Sequence, residues 1–101
     1  MSPVLVYITS SIAEYLAKAI FYYYNKPWLD VRVTSQAAIC RYRLINIARK
    51  IDRGEEVTLP LYLAEEEYLF IVSYLKDAIV EHPEDIMLYA AGILFGRSNL
   101  D

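Results

Sequence analysis

The sequence has few of the residues on which the chemistry of small proteins usually depends. Its 101 residues include one cysteine, one histidine and three scattered glycines. A single cysteine excludes an internal disulfide, and a lone histidine and cysteine are too few for a structural zinc site. No glycine-rich phosphate loop is present. We therefore predict no metal, no cofactor and no catalytic residues, and we interpret the protein as a non-enzyme.

A long uninterrupted apolar run is also absent. The longest apolar-rich stretch, Val4 to Tyr24, is interrupted by Glu14 and Lys18, which argues against a membrane span. The first residues do not show a charged segment, an apolar segment and a small-residue cleavage site in that order, so no secretory signal is predicted. Together with the single cysteine, this predicts an intracellular, cytoplasmic protein with no membrane partner.

What the sequence does have is apolar and aromatic content. The hydrophobic fraction is 56%, the charged fraction is 23%, and ten residues are tyrosines. The hydrophobic fraction and the tyrosine count are above the usual range and the charged fraction is ordinary, which predicts a folded chain, and the length predicts a single domain over residues 1–101. So small a domain has little interior, so we also expect a protein partner or self-association.

In the first half of the chain, a strand pattern followed by a helix pattern occurs twice. VLVYIT from Val4 is β-branched and aromatic, and Ser11 to Glu14 fits an S-x-x-E capping box for a helix ending near Asn25. Trp28 to Thr34 alternates apolar and polar residues and predicts a second strand. Ser35 is then expected to cap a helix that runs to about Asp52 and ends before Gly54, with Cys40 and Leu44 on its buried face.

The second half begins with another alternating stretch, Glu56 to Leu63, in which Pro60 predicts an edge or bent strand. Residues 64–81 fit either a helix or a strand that is apolar on both faces, and alanine and glutamate favour the helix. Pro83 to Asp85 suit the first turn of a last helix, and Ile86 to Phe95 is apolar nearly all round. Such a segment needs burial in this core or against a second subunit.

These patterns predict an α+β or α/β fold, with a two-layer β-α-β-α-β domain followed by one or two C-terminal helices. The alternative is an all-α domain in which Val4 to Tyr24 forms one helix. Leu5, Ile8, Ile12 and Leu16 have the helical spacing that motivates this alternative.

Charge is divided unevenly along the chain. Residues 18–53 carry a net charge of +6 and residues 54–101 a net charge of −8, within a total of −3. Such asymmetry suggests a polyanionic partner for the basic part, since lysine and arginine neutralise phosphates. The residues predicted to contact nucleic acid lie on or beside the second helix: Arg32, Arg43, Arg49, Lys50 and Arg53.

A second candidate surface lies on the first helix. Tyr15 and Tyr22 are seven residues apart and fall on the same side as Lys18, which makes a tyrosine–lysine strip. One interpretation is a half-exposed helix edge, and the other is an interface with a partner, because tyrosine is enriched at interfaces.

Four stretches in residues 4–63 follow the order of a known family: VLVYI, EYLAKAIFYYYN, LDVRVT and AAICRYRLINIARKI. In pattern and spacing they resemble the Alba family of small dimeric chromatin and RNA-binding proteins. The resemblance implies a nucleic-acid-binding dimer. The family's lysine pair after the first strand is replaced here by Thr9, Ser10 and Ser11, so no binding residue is carried over from it.

Two functional hypotheses follow. The first is a non-enzymatic nucleic-acid-binding protein, as a homodimer, that grips phosphates through its basic helix face. The second is a small protein-interaction subunit or oligomeric scaffold that uses its charged and tyrosine-rich surfaces. A nucleophile and base pair formed by Cys40 and His82 is a distant third, because Cys40 is expected to face the core.

Overall fold

A computed structural model describes residues 3–50 and 58–97 of the chain. The class is mixed α+β and mostly helical. The elements follow the order β-α-α-β-α-α: β1 Val4–Thr9, α1 Ser10–Tyr24, α2 Val31–Ala48, β2 Thr58–Leu63, α3 Glu65–Glu81 and α4 Ile86–Arg97.

The two strands form an antiparallel pair in which Val6 lies opposite Leu61 and Tyr7 lies opposite Pro60. Val6, Ile8, Leu61 and Leu63 are buried, so one face of the pair covers the core. The strand predicted at the start of the chain is confirmed, and the all-α alternative is wrong. Because each strand pairs on one side only in the described part of the chain, Pro60 occupies an edge strand, as predicted.

Helix α1 begins one residue earlier than predicted. Thr9, not Ser11, is its N-cap, and the Thr9 hydroxyl accepts a hydrogen bond from the amide of Ile12 at 3.2 Å. Ala13, Leu16, Ala17 and Ile20 are buried along one face of the helix. The predicted capping box at Ser11 is therefore not the N-cap, although the helix that it predicted is present.

The predicted strand over Trp28 to Thr34 is wrong. Asp30 is the N-cap of α2, and its carboxylate accepts a hydrogen bond from the amide of Arg32 at 2.7 Å. The amide of Thr34 bonds to the Asp30 carbonyl at 3.1 Å, and Val31 is 72% exposed. A local cap and helical hydrogen bonds thus take up backbone groups that the alternating pattern had assigned to a sheet.

The β-α-β-α-β order is wrong for the same reason, since α1 is followed directly by another helix. Ser35 lies inside α2 instead of capping it. LDVRVT, one of the stretches behind the Alba resemblance, is consequently not a strand. Helix α2 ends at Ala48 with Arg49 as its C-cap, so the predicted end near Asp52 is wrong, and Gly54 lies outside the described residues.

The helix favoured over residues 64–81 is confirmed as α3. The last helix begins at Ile86, so Pro83 and Asp85 precede it and do not form its first turn. The Asp85 carboxylate instead caps α4, accepting hydrogen bonds from the amides of Met87 at 3.0 Å and Leu88 at 3.2 Å.

The core lies where the helix pairs α1–α2 and α3–α4 meet the inner face of the strands. Helix α4 contributes Leu88, Ala91 and Phe95, and the hydroxyl of Tyr68 donates a hydrogen bond to the Phe95 carbonyl at 2.7 Å. Gly92 allows α4 to approach α3 closely, because a Cβ at this position would lie 2.8 Å from Ile79 Cδ1. The apolar last helix is thus half buried in the chain's own core.

Candidate interaction surfaces

Arg43, predicted to contact nucleic acid, is engaged inside the protein. Its Nε donates a hydrogen bond of 2.6 Å to Oε1 of Glu67, whose side chain is only 7% exposed. The same Glu67 oxygen accepts a hydrogen bond from the amide of Ala64 at 2.9 Å. The hydrogen bond to Glu67 raises the pKa of Arg43. The guanidinium therefore neutralises a buried carboxylate and links α2 to the start of α3.

The other predicted phosphate contacts are not gathered with Arg43. Arg32 is fully in solvent and lies 3.5 Å from the Asp30 carboxylate. Arg49 lies beside α1, in a depression of about 310 Å³. Lys50 is exposed, and Arg53 lies outside the described residues. The structure thus separates Arg43 from Arg49, which a helix wheel had placed together.

The depression beside Arg49 forms a cationic cleft between α1 and α2. It is lined by Lys18, Arg49 and Arg41, the last of which places its guanidinium carbon 4.6 Å from the centre of the Phe21 ring. Glu14 also lines it and pairs with Lys18 at 3.5 Å. Within the described residues, no carboxylate lies within 4.0 Å of Arg41 or Arg49. In the described part of the chain, the cleft therefore contains two guanidinium groups without an acidic counter-ion.

The structure brings together the three residues of the predicted tyrosine–lysine strip. They line what we call the tyrosine concavity, a depression of about 430 Å³ between α1, α3 and the turn before α4. The lining residues are Tyr15, Lys18, Ala19, Tyr22, Tyr23, Tyr74, Ala78, Glu81, His82, Asp85 and Leu88.

Tyr15 joins the two sides of this concavity, because its hydroxyl donates a hydrogen bond to the Asp85 carboxylate. That bond, together with burial and the nearby negative charge, raises the pKa of Tyr15 to about 12. Burial opposes ionisation of Asp85, but the hydrogen bonds from Tyr15 and from the α4 amides outweigh it and lower the pKa of Asp85. At neutral pH the pair is a neutral phenol bonded to a carboxylate.

Sequence reasoning did not find the rest of this concavity. Tyr74, Glu81 and Asp85 come from α3 and the turn after it, about fifty residues or more away from the α1 strip. Tyr74 on α3 is 6% exposed, and the helix pattern over residues 64–81 did not single it out. The one available signal was Asp85 directly before an apolar helix, which is an N-cap position.

A third surface lies on α3 and α4. Here a groove of about 270 Å³ runs between the two helices, and Lys76 is the only charged residue among the described residues that line it. The same two helices expose further apolar side chains: Leu69 and Val80 on α3 are 56% and 79% exposed, and Ile86 on α4 is 80% exposed. We call these residues and the groove the α3–α4 face. The groove is lined by Val72, Leu75, Lys76, Ile79, Tyr89, Gly92, Ile93 and Phe95.

Cys40 and His82 do not form a nucleophile and base pair. Cys40 is fully buried in the core with its Sγ 3.7 Å from the Glu67 carbonyl, and burial raises the pKa of its thiol to about 12. His82 is at the exposed end of α3, with its Nδ1 4.0 Å from the Glu84 carboxylate. Among the described residues, no group of three or more potential ligands could hold a metal ion.

Comparison of the chain with protein-family models, with curated proteins and with solved structures finds no match. Membership of the Alba family therefore stays a prediction. In residues 3–50 and 58–97, no helix has the length and apolar character needed to cross a membrane. Fold and surfaces together define a small, mostly helical α+β protein whose distinctive features are exposed surfaces.

Proposed function

We propose that the protein is a small non-enzymatic interaction protein that self-associates through its α3–α4 face. The observation that carries this proposal is the apolar exposure there. Ile86 is 80%, Val80 79%, Tyr89 61% and Ile93 40% exposed, around a groove with one charged lining residue. Contiguous apolar patches of this kind mark interaction sites in folded proteins.

The parts of the sequence outside the described ranges contain few large apolar residues. Residues 1–2, 51–57 and 98–101 contain only Met1, Ile51, Val57 and Leu100 as large apolar residues, and four of the seven residues in 51–57 are charged.

A second copy suits the face because of its charge. The rest of α3 and the turn before α4 carry Glu65, Glu66, Asp77, Glu81 and Glu84, and none of these carboxylates lines the groove. Two acidic molecules can meet here without bringing their carboxylates together. Dimers most often pair identical patches across a two-fold axis, and among the described residues Lys76 is the one charge that such a pairing of this groove would have to accommodate.

The size of the contact is reasonable for this molecule. A standard interface buries roughly 800 Å² on each partner. That is about an eighth of the protein's accessible surface of 6744 Å². Two helices with exposed apolar side chains can supply such an area.

The experiment compares two matched isoleucines by sedimentation velocity at increasing protein concentration. Ile93 on α4 is 40% exposed and Ile39 on α2 is 44% exposed. We expect the wild-type chain of 11.7 kDa to sediment as a dimer. Ile93→Glu should give a folded monomer, because it places charge in the apolar contact, whereas Ile39→Glu should stay dimeric.

A monomeric wild-type protein at high micromolar concentration would contradict the proposal. Equal loss of the dimer in both variants would place the contact elsewhere.

A second candidate function, nucleic-acid binding, is supported by the cationic cleft. Arg41 and Arg49 have no carboxylate partner among the described residues, and the Phe21 ring beneath Arg41 offers a stacking surface. Cations over an aromatic ring suit the phosphates and bases of a single strand. In this proposal the nucleic acid contacts the cleft between α1 and α2, and not the stripe predicted from the sequence.

The test is filter binding of DNA and RNA oligonucleotides across a salt series. Arg49→Glu should weaken retention and flatten its salt dependence, because it reverses a cation in the cleft. Arg32→Glu is the matched control, since Arg32 lies outside the cleft on the exposed start of α2. Retention that is absent at low salt, or equally weakened by both changes, argues against the cleft.

A further inference from the structure

The tyrosine concavity has the lining of a cation-binding site. We propose that it binds the ammonium group of an organic cation. Tyr15, Tyr22 and Tyr23 line it from α1, and Glu81 and Asp85 line it from the opposite side. Tyrosine ring faces attract ammonium groups, and carboxylates at the rim add Coulomb attraction.

The residues that line the concavity include more carboxylates than lysines, and Lys26 lies beside them over the Tyr22 ring. The lining includes two carboxylates and one cation, Lys18, whose ammonium is paired with Glu14 at 3.5 Å outside the concavity. Asp85 keeps its charge while it accepts hydrogen bonds from Tyr15 and two α4 amides. The raised pKa of Tyr15, to which Asp85 and Glu84 contribute, reflects the same negative environment.

The chain itself shows that a ring of this wall attracts an ammonium group. The Nζ of Lys26 lies 4.6 Å from the centre of the Tyr22 ring, on the next turn of the chain. This distance is within the range of a cation–π contact. Because Lys26 occupies one face of Tyr22, an external ammonium group would contact the opposite face or the neighbouring tyrosine rings, together with Glu81 and Asp85.

The dimensions suit a small head group. A volume of about 430 Å³ is within the range of small-ligand sites. The depression is open to solvent, so either a free cation or a methylated lysine side chain could present the group. Both carry the same alkylammonium chemistry.

The test is a titration of the ¹⁵N-labelled full chain with choline, followed by amide chemical shifts. We expect saturable shifts in α1 around Tyr22 and at the end of α3, with a dissociation constant on the order of 1 mM. The neutral carbon analogue of choline, 3,3-dimethylbutan-1-ol, has the same shape without the charge and should produce no saturable shifts there.

Matched variants separate ring and charge effects from folding effects. Tyr22→Leu should weaken choline binding severalfold. Tyr42→Leu on α2 is its matched control, because the two tyrosines are similarly exposed at 76% and 65%, and it should leave choline binding unchanged. Glu81→Gln should weaken it about fivefold, the size of one charge interaction near water. Glu66→Gln removes the same charge at the other end of α3 and should have little effect.

A neutral peptide that contains one trimethyllysine is titrated in parallel to identify the source of the cation. Shifts with choline alone indicate a free small cation, and shifts with the peptide alone or with both indicate a side chain or a shared head group. The proposal is overturned if neither ligand shifts these amides, or if the neutral alcohol binds as well as choline.

Discussion

The pair formed by Arg43 and Glu67 gives the sharpest stability prediction. Glu67 is the only buried charged residue among the described residues, and it is 5% exposed. Arg43→Met keeps the length of the apolar stem and removes the guanidinium. Among the described residues, the Glu67 carboxylate then keeps one hydrogen bond, which comes from the amide of Ala64.

The expected loss can be scaled from the exposure of the two partners. Removing one partner of a fully buried ion pair costs about 3 to 5 kcal/mol. The Arg43 side chain is 44% exposed, so water reaches the site and the loss should be smaller. We expect about 2 kcal/mol, which lowers the melting temperature of a chain this size by roughly 8 to 16 °C.

The assay is urea unfolding followed by circular dichroism at pH 7. Arg49→Met is the matched control, because no carboxylate lies near Arg49 among the described residues, and it should change the free energy of unfolding by less than about 0.5 kcal/mol. In a Glu67→Gln background, Arg43→Met should lose much less, since no buried charge is left alone. Equal losses for Arg43→Met and Arg49→Met would refute the structural role of the pair.

Three further predictions concern buried and titrating groups. Cys40 should react with a disulfide reagent only as fast as the protein opens, and urea should release the reaction, because the thiol is buried and its pKa is raised to about 12. Asp85→Asn should keep the α4 cap but lose about 0.5 kcal/mol at neutral pH, a charge effect reduced by solvent screening. The lowered pKa of Asp85 means that its contribution is present above the unfolded pKa and is lost as pH falls through the folded value, so unfolding of the two proteins should converge in acid. The pKa values of Tyr15 and Tyr74 are raised to about 12, so their contribution is complete below pH 10 and is lost as pH rises towards 12. Absorbance at alkaline pH should show one late-titrating phenol fewer in Tyr15→Phe.

Local patterns predicted the elements whose signals do not depend on distant residues. The β-branched run at Val4 and the glutamate-rich start of α3 both specify their structures within a few residues. Trp28 to Thr34 was ambiguous, because alternating apolar residues also fit the first turn of a helix once Asp30 caps it. The Asp30 cap determined the outcome. Its signal in the sequence was an aspartate two residues before Arg32, whose amide donates the capping hydrogen bond.

The surfaces were harder to predict because they depend on what packs opposite each helix. A helix wheel gives the direction of Arg43 but not that Glu67, 24 residues away, approaches it from α3. The same holds for α4, whose nearly uniform apolar character indicated burial somewhere. Only packing decides that Leu88 and Phe95 face the core while Ile86 and Tyr89 face outward.

The tyrosine strip was found because its residues lie within two turns of one helix. The concavity around it depends on the turn from α3 into α4, which brings Glu81 and Asp85 to the same place. The depth and charge of the concavity therefore could not be predicted from hydrophobic periodicity alone.

The most direct test of self-association is a dilution series of the ¹⁵N-labelled protein followed by amide chemical shifts. If the α3–α4 face is the contact, amides around Val72, Ile79, Tyr89 and Ile93 should shift together as concentration falls, while those around Ile39 on α2 stay constant. Shifts confined to α1 and α2, or no shifts over a hundredfold dilution from millimolar protein, would contradict it.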